Sequence, residues 1–183
     1  NALRQLSFKS FERLIYHNEP ISEKLLSSIK ATLFVSDLPP SYKAIISTPP
    51  SVQHIINYLS SKGTPIDPQK IYHSTVAFNK ALAEKCNEYI SEFWNNYQPN
   101  SIYNPTAGDA GHRAFALRIM DLFCYLDEGV NLAKHSFRTA TNMTEEFGFL
   151  TLLIHHDKIT DELDKFYRKW NNNDNVIDKW FTA

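Results

Sequence analysis

Apolar side chains recur every three or four residues over residues 71–97, the longest stretch of helical spacing in the sequence. This spacing places them on one face of an α-helix. Asp67 and Pro68 predict where the helix begins, because a carboxylate caps free N–H groups and proline at the first helical position needs no N–H partner. Only the turn at Lys85-Cys86 is weak. A stripe of this length requires partner helices, so we predict an all-α protein. Its members are Ile71, Thr75, Phe78, Leu82, Tyr89, Phe93 and Tyr97.

The rest of the chain repeats this pattern in shorter pieces. The sequence contains 5 glycines, and its prolines and polar turns separate apolar segments of helical spacing rather than alternating strands. No fixed-period repeat is visible. We therefore predict an array or superhelix of roughly eight to ten short-to-medium helices. The residues expected at helix boundaries are Pro20 in a first turn, Ser51 at an N-cap, Gly63 in a left-handed position, and Thr106 or Asp109 at a later N-cap.

Composition excludes several classes of protein. The formal net charge is −1 and the charges are spread along the chain, whereas a nucleic-acid surface needs clustered positive charge. No apolar run approaches the ~20 residues that cross a membrane, and no signal segment is visible. The two cysteines, Cys86 and Cys124, are expected to be reduced core thiols of a cytoplasmic protein. Because the chain begins at Asn1 rather than Met, we expect it to be an excised piece of a longer protein.

Two polar segments are candidate ligand sites. Adjacent histidines on a helix point about 100° apart, so His155-His156-Asp157 lacks the usual spacing of helical metal ligands, and we expect a surface helix end instead. Gly108-Asp109-Ala110-Gly111 lacks both a preceding strand and a complete phosphate-binding motif, so helix initiation is the better interpretation. We expect the neighbouring His112 and Arg113 to be solvated.

The nucleophiles, carboxylates and aromatic side chains have structural interpretations as well. The cysteines lie inside amphipathic patterns, which favours buried thiols. The acidic groups Glu145-Glu146 and Asp161-Glu162-Asp164 fall in or near first helical turns, where negative charge offsets the helix dipole, although general acid–base use stays open. Four aromatic residues at helical spacing are expected in the core: Tyr89, Phe93, Trp94 and Tyr97.

Three short segments near the end of the chain carry a resemblance. They are Asn142-Met143-Thr144, Phe166-Tyr167-x-x-Trp170 and Val176-Ile177-Asp178-Lys179-Trp180-Phe181. Together they resemble the C-terminal region of bacterial-type aminopeptidase N, a family of zinc-dependent gluzincin metallopeptidases. Earlier segments resemble the same family in the same order: Thr48-Pro49-Pro50-Ser51-Val52, Ile66-Asp67-Pro68 and Ala110-Gly111-His112-Arg113-Ala114.

Two segments depart from the family pattern. The opening Leu3-Arg4-Gln5-Leu6 stands where the family has Phe-Asn-Arg-Trp. Glu146-Phe147-Gly148-Phe149 is bulkier than the Ala-rich helix that usually follows Asn-Met-Thr, so local packing must differ. The zinc-binding motif His-Glu-x-x-His is absent from this sequence.

The resemblance implies that this chain has a non-catalytic role. We expect residues 1–183 to form a single helical domain, the first part of a C-terminal domain that packs over the catalytic domain, encloses the active site and limits access to it. No catalytic residue, metal ligand or cofactor is expected here, and the zinc belongs to the parent enzyme's catalytic domain. The expected partners are that catalytic domain and, through the parent enzyme, peptide substrates. The family-motif residues, expected to be structural, are Asn142, Met143, Thr144, Trp170, Asp178, Lys179, Trp180 and Phe181.

Two other functions fit the residues. A free-standing helical module could hold a peptide or protein in a groove, and the coding frame upstream of Asn1 would distinguish it from the peptidase domain. A thiol-dependent enzyme would use Cys86 or Cys124 and would show rapid labelling by a thiol reagent in the folded state.

Overall fold

The computed structural model describes residues 2–97 and 103–182, and these residues form eleven α-helices and no strand. The prediction of an all-α protein is confirmed. The helices are α1 Ala2–His17, α2 Glu23–Leu33, α3 Pro40–Ser47, α4 Val52–Ser61, α5 Pro68–Lys85, α6 Asn87–Asn96, α7 Ala107–Phe123, α8 Gly129–Thr139, α9 Met143–His155, α10 Glu162–Trp170 and α11 Asp174–Trp180.

The predicted number of helices is too low because the long stripe divides at its weak turn. Cys86 has φ −108° and ψ 13°, outside the helical region. Its N–H is shared between the carbonyl oxygens of Leu82 at 2.9 Å and Ala83 at 3.2 Å, which tightens the end of α5. The division lets α5 pack against α1, α2 and α7 while α6 packs along α7.

The sequence also predicts the wrong start for α2. Pro20 lies in the connection before the helix, which begins at Glu23. Ser22 is the N-cap: its hydroxyl accepts a hydrogen bond from the Leu25 N–H at 3.4 Å, and its own N–H donates to the Ser10 hydroxyl at 2.8 Å. Ser10 is buried on α1. This contact between helices fixes the start of α2 and overrides the preference of proline for a first turn.

The other predicted boundaries are confirmed. Ser51 accepts from the His54 N–H at 3.3 Å, and Asp67 accepts from the N–H groups of residues 69 and 70 at 3.0 and 3.2 Å. Gly63 has φ +69°, the left-handed conformation that glycine adopts without strain. Of the two candidates for the start of α7, Thr106 is the N-cap, and its hydroxyl donates in turn to the Asp109 carboxylate at 2.7 Å.

Helix α7 lies at the centre of the array. It contacts α3, α5, α6, α8 and α9, and most of its residues from Phe115 to Phe123 are buried. Helices α1, α2, α4 and α5 pack together on one side, and α8 to α11 follow on the other. The approach of α7 to α3 is close, because a Cβ at Gly111 would lie 3.1 Å from the Ser41 Cβ. None of the helices in residues 2–97 and 103–182 is long and apolar enough to cross a membrane.

Candidate functional site

A cavity of about 640 Å³ opens where the end of α2, α3, α6 and the starts of α7 and α9 meet. Cavities of this size are in the range that binds small molecules. Its lining combines aromatic rings with charged side chains. The lining residues are Leu33, Phe34, Lys43, Tyr89, Glu92, Phe93, Asn96, Tyr97, Tyr103, Asp109, His112, Arg113, Asn142 and Glu145.

Helix α6 supplies the aromatic wall of this cavity. Tyr89 meets the Phe34 ring edge-on at a centroid distance of 4.9 Å, and Phe93 stacks on Tyr97 at 5.5 Å. Trp94 packs behind them, edge-on to both Phe93 and Tyr97. All four aromatic residues were expected in the core and are half-buried. Tyr89, Phe93 and Trp94 pack against the core. Burial raises the pKa of Tyr97 to about 12, so its hydroxyl remains protonated at neutral pH.

Lys43 is the charged residue of the cavity that the sequence analysis missed. Its side chain lines the cavity although the residue is only 9% exposed. Within residues 2–97 and 103–182 the ammonium group has neither an ion pair nor a hydrogen bond. Burial lowers the pKa of Lys43, because the charged form loses its hydration.

The orientation of α3 explains why Lys43 was missed. The large apolar residues of α3 are Tyr42, Ile45 and Ile46, but Tyr42 is 48% and Ile45 is 71% exposed. Lys43, Ala44 and Ser47 face inwards instead. These three positions also have helical spacing, so the spacing alone does not reveal which face is buried. Packing against α7 determines which face of α3 is buried.

Glu145 also lines the cavity, from the first turn of α9, and is 7% exposed. The Asn142 side chain caps this helix by accepting from the Glu145 N–H at 3.0 Å, and its amide donates back to the Glu145 carboxylate at 2.9 Å. This reciprocal pair resembles a capping box, with one side chain at the N-cap and one at the third helical position. Asn142 is therefore the N-cap of α9, and Thr144 lies within the helix.

The start of α7 provides a second cation. Arg113 donates to the Asn104 carbonyl at 3.0 Å, and its guanidinium lies 4.6 Å from the centroid of the Tyr103 ring. The expectation that Arg113 is simply solvated is wrong, because these contacts hold it half-buried at the rim of the cavity. His112 is exposed, as expected.

A separate buried network links four helices behind the cavity. Arg118, which is 8% exposed, donates to the Ser47 carbonyl oxygen and, at 2.8 Å, to the Asn79 side chain. It also donates to the Asp121 carboxylate at 2.5 Å. His156 lies 3.0 Å from the other Asp121 oxygen. Burial acts to raise the pKa of Asp121, but the His156 hydrogen bond and the Arg118 charge outweigh it and hold the pKa below its usual value.

The same network corrects the interpretation of the paired histidines. His155 is exposed at the end of α9, but the His156 side chain is only 10% exposed and packs edge-on to Tyr125 at 4.6 Å. A surface position is therefore wrong for His156. In the described part of the chain, no group of three or more His, Cys, Asp or Glu residues could hold a metal ion.

The family-motif residues connect α9, α10 and α11. The Glu146 carboxylate accepts from the Lys169 ammonium at 2.6 Å and from the Trp170 indole at 3.2 Å. The Trp180 indole donates to the Leu163 carbonyl at 3.3 Å, and Met143 packs against the core. Asp178, Lys179 and Phe181 are exposed on or just after α11. Of these three exposed residues, Phe181 packs edge-on against the Trp180 ring at a centroid distance of 5.0 Å.

The two thiols lack the properties of nucleophiles. Cys86 is fully buried and Cys124 nearly so, as expected. Burial raises the pKa of the Cys86 thiol to about 11 and that of the Cys124 thiol to about 12. Because the thiolate is the reactive form, both thiols are inert near neutral pH.

Comparison with known proteins agrees with this architecture. A family model described as "Domain of unknown function (DUF3458_C) ARM repeats" matches residues 1–183. The crystal structure of Legionella pneumophila aminopeptidase A in complex with aspartic acid is similar, with a TM-score of 0.77 and 20% sequence identity. The similarity covers 98% of this chain and 22% of that chain, so this chain spans less than a quarter of that enzyme. At this identity the similarity establishes the fold.

The family match covers the whole sequence, and the structural match shows the same arrangement of helices inside an aminopeptidase. The expected resemblance to a helical domain of an aminopeptidase is therefore confirmed at the level of the fold. The chain belongs to the DUF3458_C family of ARM-repeat domains.

Proposed function

We propose that this chain is a non-catalytic helical domain of a zinc aminopeptidase, packed over the catalytic domain so that it encloses the active site and limits the peptides that enter. The observation that carries the proposal is the fold: 98% of the chain matches a 22% portion of an aminopeptidase. In this proposal zinc is bound by the catalytic domain of the same cytoplasmic polypeptide.

An exposed apolar surface supports packing against the rest of such an enzyme. Tyr42 and Ile45 on α3 and Val52 on α4 are each about half exposed or more. Tyr42 and Ile45 line a cleft of about 560 Å³ together with Pro49, Pro50 and Ser51, and Val52 follows Ser51 in the chain. Adjacent exposed apolar residues are typical of interaction sites. We name Tyr42, Ile45 and Val52 the α3–α4 surface.

The absence of catalysis is tested on the purified chain. Residues 1–183 are incubated with zinc and an aminoacyl 4-nitroanilide, and release of nitroaniline is followed. No zinc-dependent turnover is expected. Turnover that is abolished by a chelator would contradict a non-catalytic role.

The role in access is tested in the longer protein that the coding frame specifies. The frame upstream of Asn1 is expected to encode His-Glu-x-x-His, and its absence would favour the free-standing interaction module. In that longer protein, Ile45→Glu should weaken packing of the α3–α4 surface and raise kcat/KM for long peptides relative to aminoacyl nitroanilides. Lys80→Glu, on the exposed side of α5, is the control. An unchanged ratio in Ile45→Glu would contradict packing through this surface.

A further inference from the structure

The ammonium group of Lys43 is the observation that the proposed function leaves unexplained. A buried charge is normally paired, because losing its hydration costs free energy that only a partner offsets. Lys43 is nine-tenths buried as a residue, and its ammonium group keeps contact with the open space of the cavity. That group has no ionic or hydrogen-bonding partner among residues 2–97 and 103–182. Its charge therefore faces a space in which a bound anion would complete the pairing.

The remaining charges of the cavity define what kind of anion fits. Its lining contains two cations, Lys43 and Arg113, and three carboxylates, Glu92, Asp109 and Glu145. A phosphate dianion would be repelled by these carboxylates. A ligand that carries one carboxylate and one ammonium group could pair with a cation and with a carboxylate of the cavity at the same time.

The Glu145 carboxylate lies apart from the Lys43 ammonium group. Glu145 is slightly more buried than Lys43, and the two do not form an ion pair within 4.0 Å. One Glu145 oxygen accepts from Asn142, and a carboxylate has capacity for further donors. The rings of Phe34, Tyr89 and Phe93 lie along the same wall and offer an apolar surface for a side chain.

We propose that this cavity binds a zwitterion with an apolar or aromatic side chain, an α-amino acid or short peptide, with its carboxylate on Lys43 and its ammonium group on Glu145. The volume of about 640 Å³ accommodates either. Burial supports the assignment, since an anion beside Lys43 would restore the charged form that desolvation disfavours. The site consists of residues of this domain alone and does not depend on a peptidase role.

Titration calorimetry with three matched probes tests the two charge contacts. Phenylalanine carries both charges, N-acetylphenylalanine only the carboxylate, and phenylalaninamide only the ammonium group. Phenylalanine should bind with a dissociation constant on the order of 1 mM or tighter, and each blocked analogue at least about tenfold more weakly. Equal binding of all three probes, or no saturable binding of phenylalanine, would overturn the proposal.

Variants assign each contact to its residue. Lys43→Met should abolish the preference for phenylalanine over phenylalaninamide, and Glu145→Gln should abolish the preference over N-acetylphenylalanine while keeping an acceptor for Asn142. Lys80→Met and Glu84→Gln change exposed residues of α5 and should leave all three affinities unchanged. Circular dichroism confirms the helix content of each variant. If a folded Lys43→Met retains the wild-type preference, the cavity does not recognise the carboxylate through Lys43.

Discussion

The guanidinium of Arg118 donates to the backbone carbonyl oxygen of Ser47, the last residue of α3. The final carbonyl groups of a helix lack intrahelical partners and form the negative end of its dipole, so a cation there both satisfies and stabilises them. The same guanidinium reaches Asn79 on α5 and Asp121 on α7. One buried side chain therefore connects three helices next to the cavity.

Arg118→Met should lower the free energy of unfolding by about 3 kcal/mol or more, because it removes the cation from the buried Asp121 carboxylate, which keeps only His156, and the side-chain donor from the Ser47 carbonyl. Urea denaturation followed by circular dichroism measures the loss. Arg13→Met is the control, since Arg13 pairs with Glu19 at an exposed position and should change stability by about 0.5 kcal/mol or less. A decrease in the free energy of unfolding of less than about 1 kcal/mol in Arg118→Met would contradict a stabilising role for the network.

Asp121→Asn should make the protein less sensitive to acid. The pKa of Asp121 is lower in the folded protein than in the unfolded chain. Its stabilisation is therefore complete above the unfolded pKa of about 4 and is lost as the pH falls through the folded value. Wild-type protein should lose more free energy of unfolding between about pH 6 and pH 3 than Asp121→Asn does, although the variant starts from a lower value.

The control for this pH dependence is Asp161→Asn. A hydrogen bond from Lys165 also lowers the pKa of Asp161, but both side chains are more than half exposed. Solvent screens that pair, so the variant should change the acid sensitivity less than Asp121→Asn does. Parallel stability curves for wild type and Asp121→Asn would show that the carboxylate does not titrate with folding.

The thiols of Cys86 and Cys124 should react slowly in the folded protein. With pKa values of about 11 and about 12, very little thiolate is present near pH 8, and both groups are buried. A disulfide reagent such as dithionitrobenzoate should label both at least about a hundredfold faster in denaturant than in buffer. Rapid labelling of either thiol in buffer would favour the thiol-dependent enzyme instead.

The helix boundaries were the most predictable part of the fold because they depend on local chemistry. Ser51, Asp67 and Thr106 cap the helices that follow them, as their positions beside free N–H groups predict. The start of α2 departs from the prediction because the determining contact comes from Ser10 on α1, which local sequence does not reveal. The ARM repeats are not visible as a period, since the helices vary from 7 residues in α11 to 18 in α5.

The candidate site was largely unpredictable, because its charged residues are buried by contacts between distant segments. Lysine and arginine are rarely buried, so sequence alone assigns Lys43 and Arg118 to the surface. The close packing of α3 on α7 at Gly111 turns the polar face of α3 inwards and leaves Tyr42 and Ile45 outside. The identity of neighbouring helices, which a single sequence does not specify, determines both outcomes.

Gly129→Ala should destabilise the turn between α7 and α8 by about 3 kcal/mol, near the upper end of the usual cost of overpacking. A Cβ at Gly129 would lie 2.0 Å from the carbonyl oxygen of Phe123, and a backbone atom cannot move aside as a flexible side chain does. That oxygen also accepts the Leu126 N–H at 2.8 Å, so displacing it would break the turn.

Gly108→Ala is the matched control: nothing lies within 4 Å of its added Cβ, and alanine favours the helix by up to about 1 kcal/mol. Thermal unfolding should therefore show a lower Tm for Gly129→Ala and an equal or higher Tm for Gly108→Ala. Equal Tm values in the two variants would contradict the close approach of α8 to the end of α7.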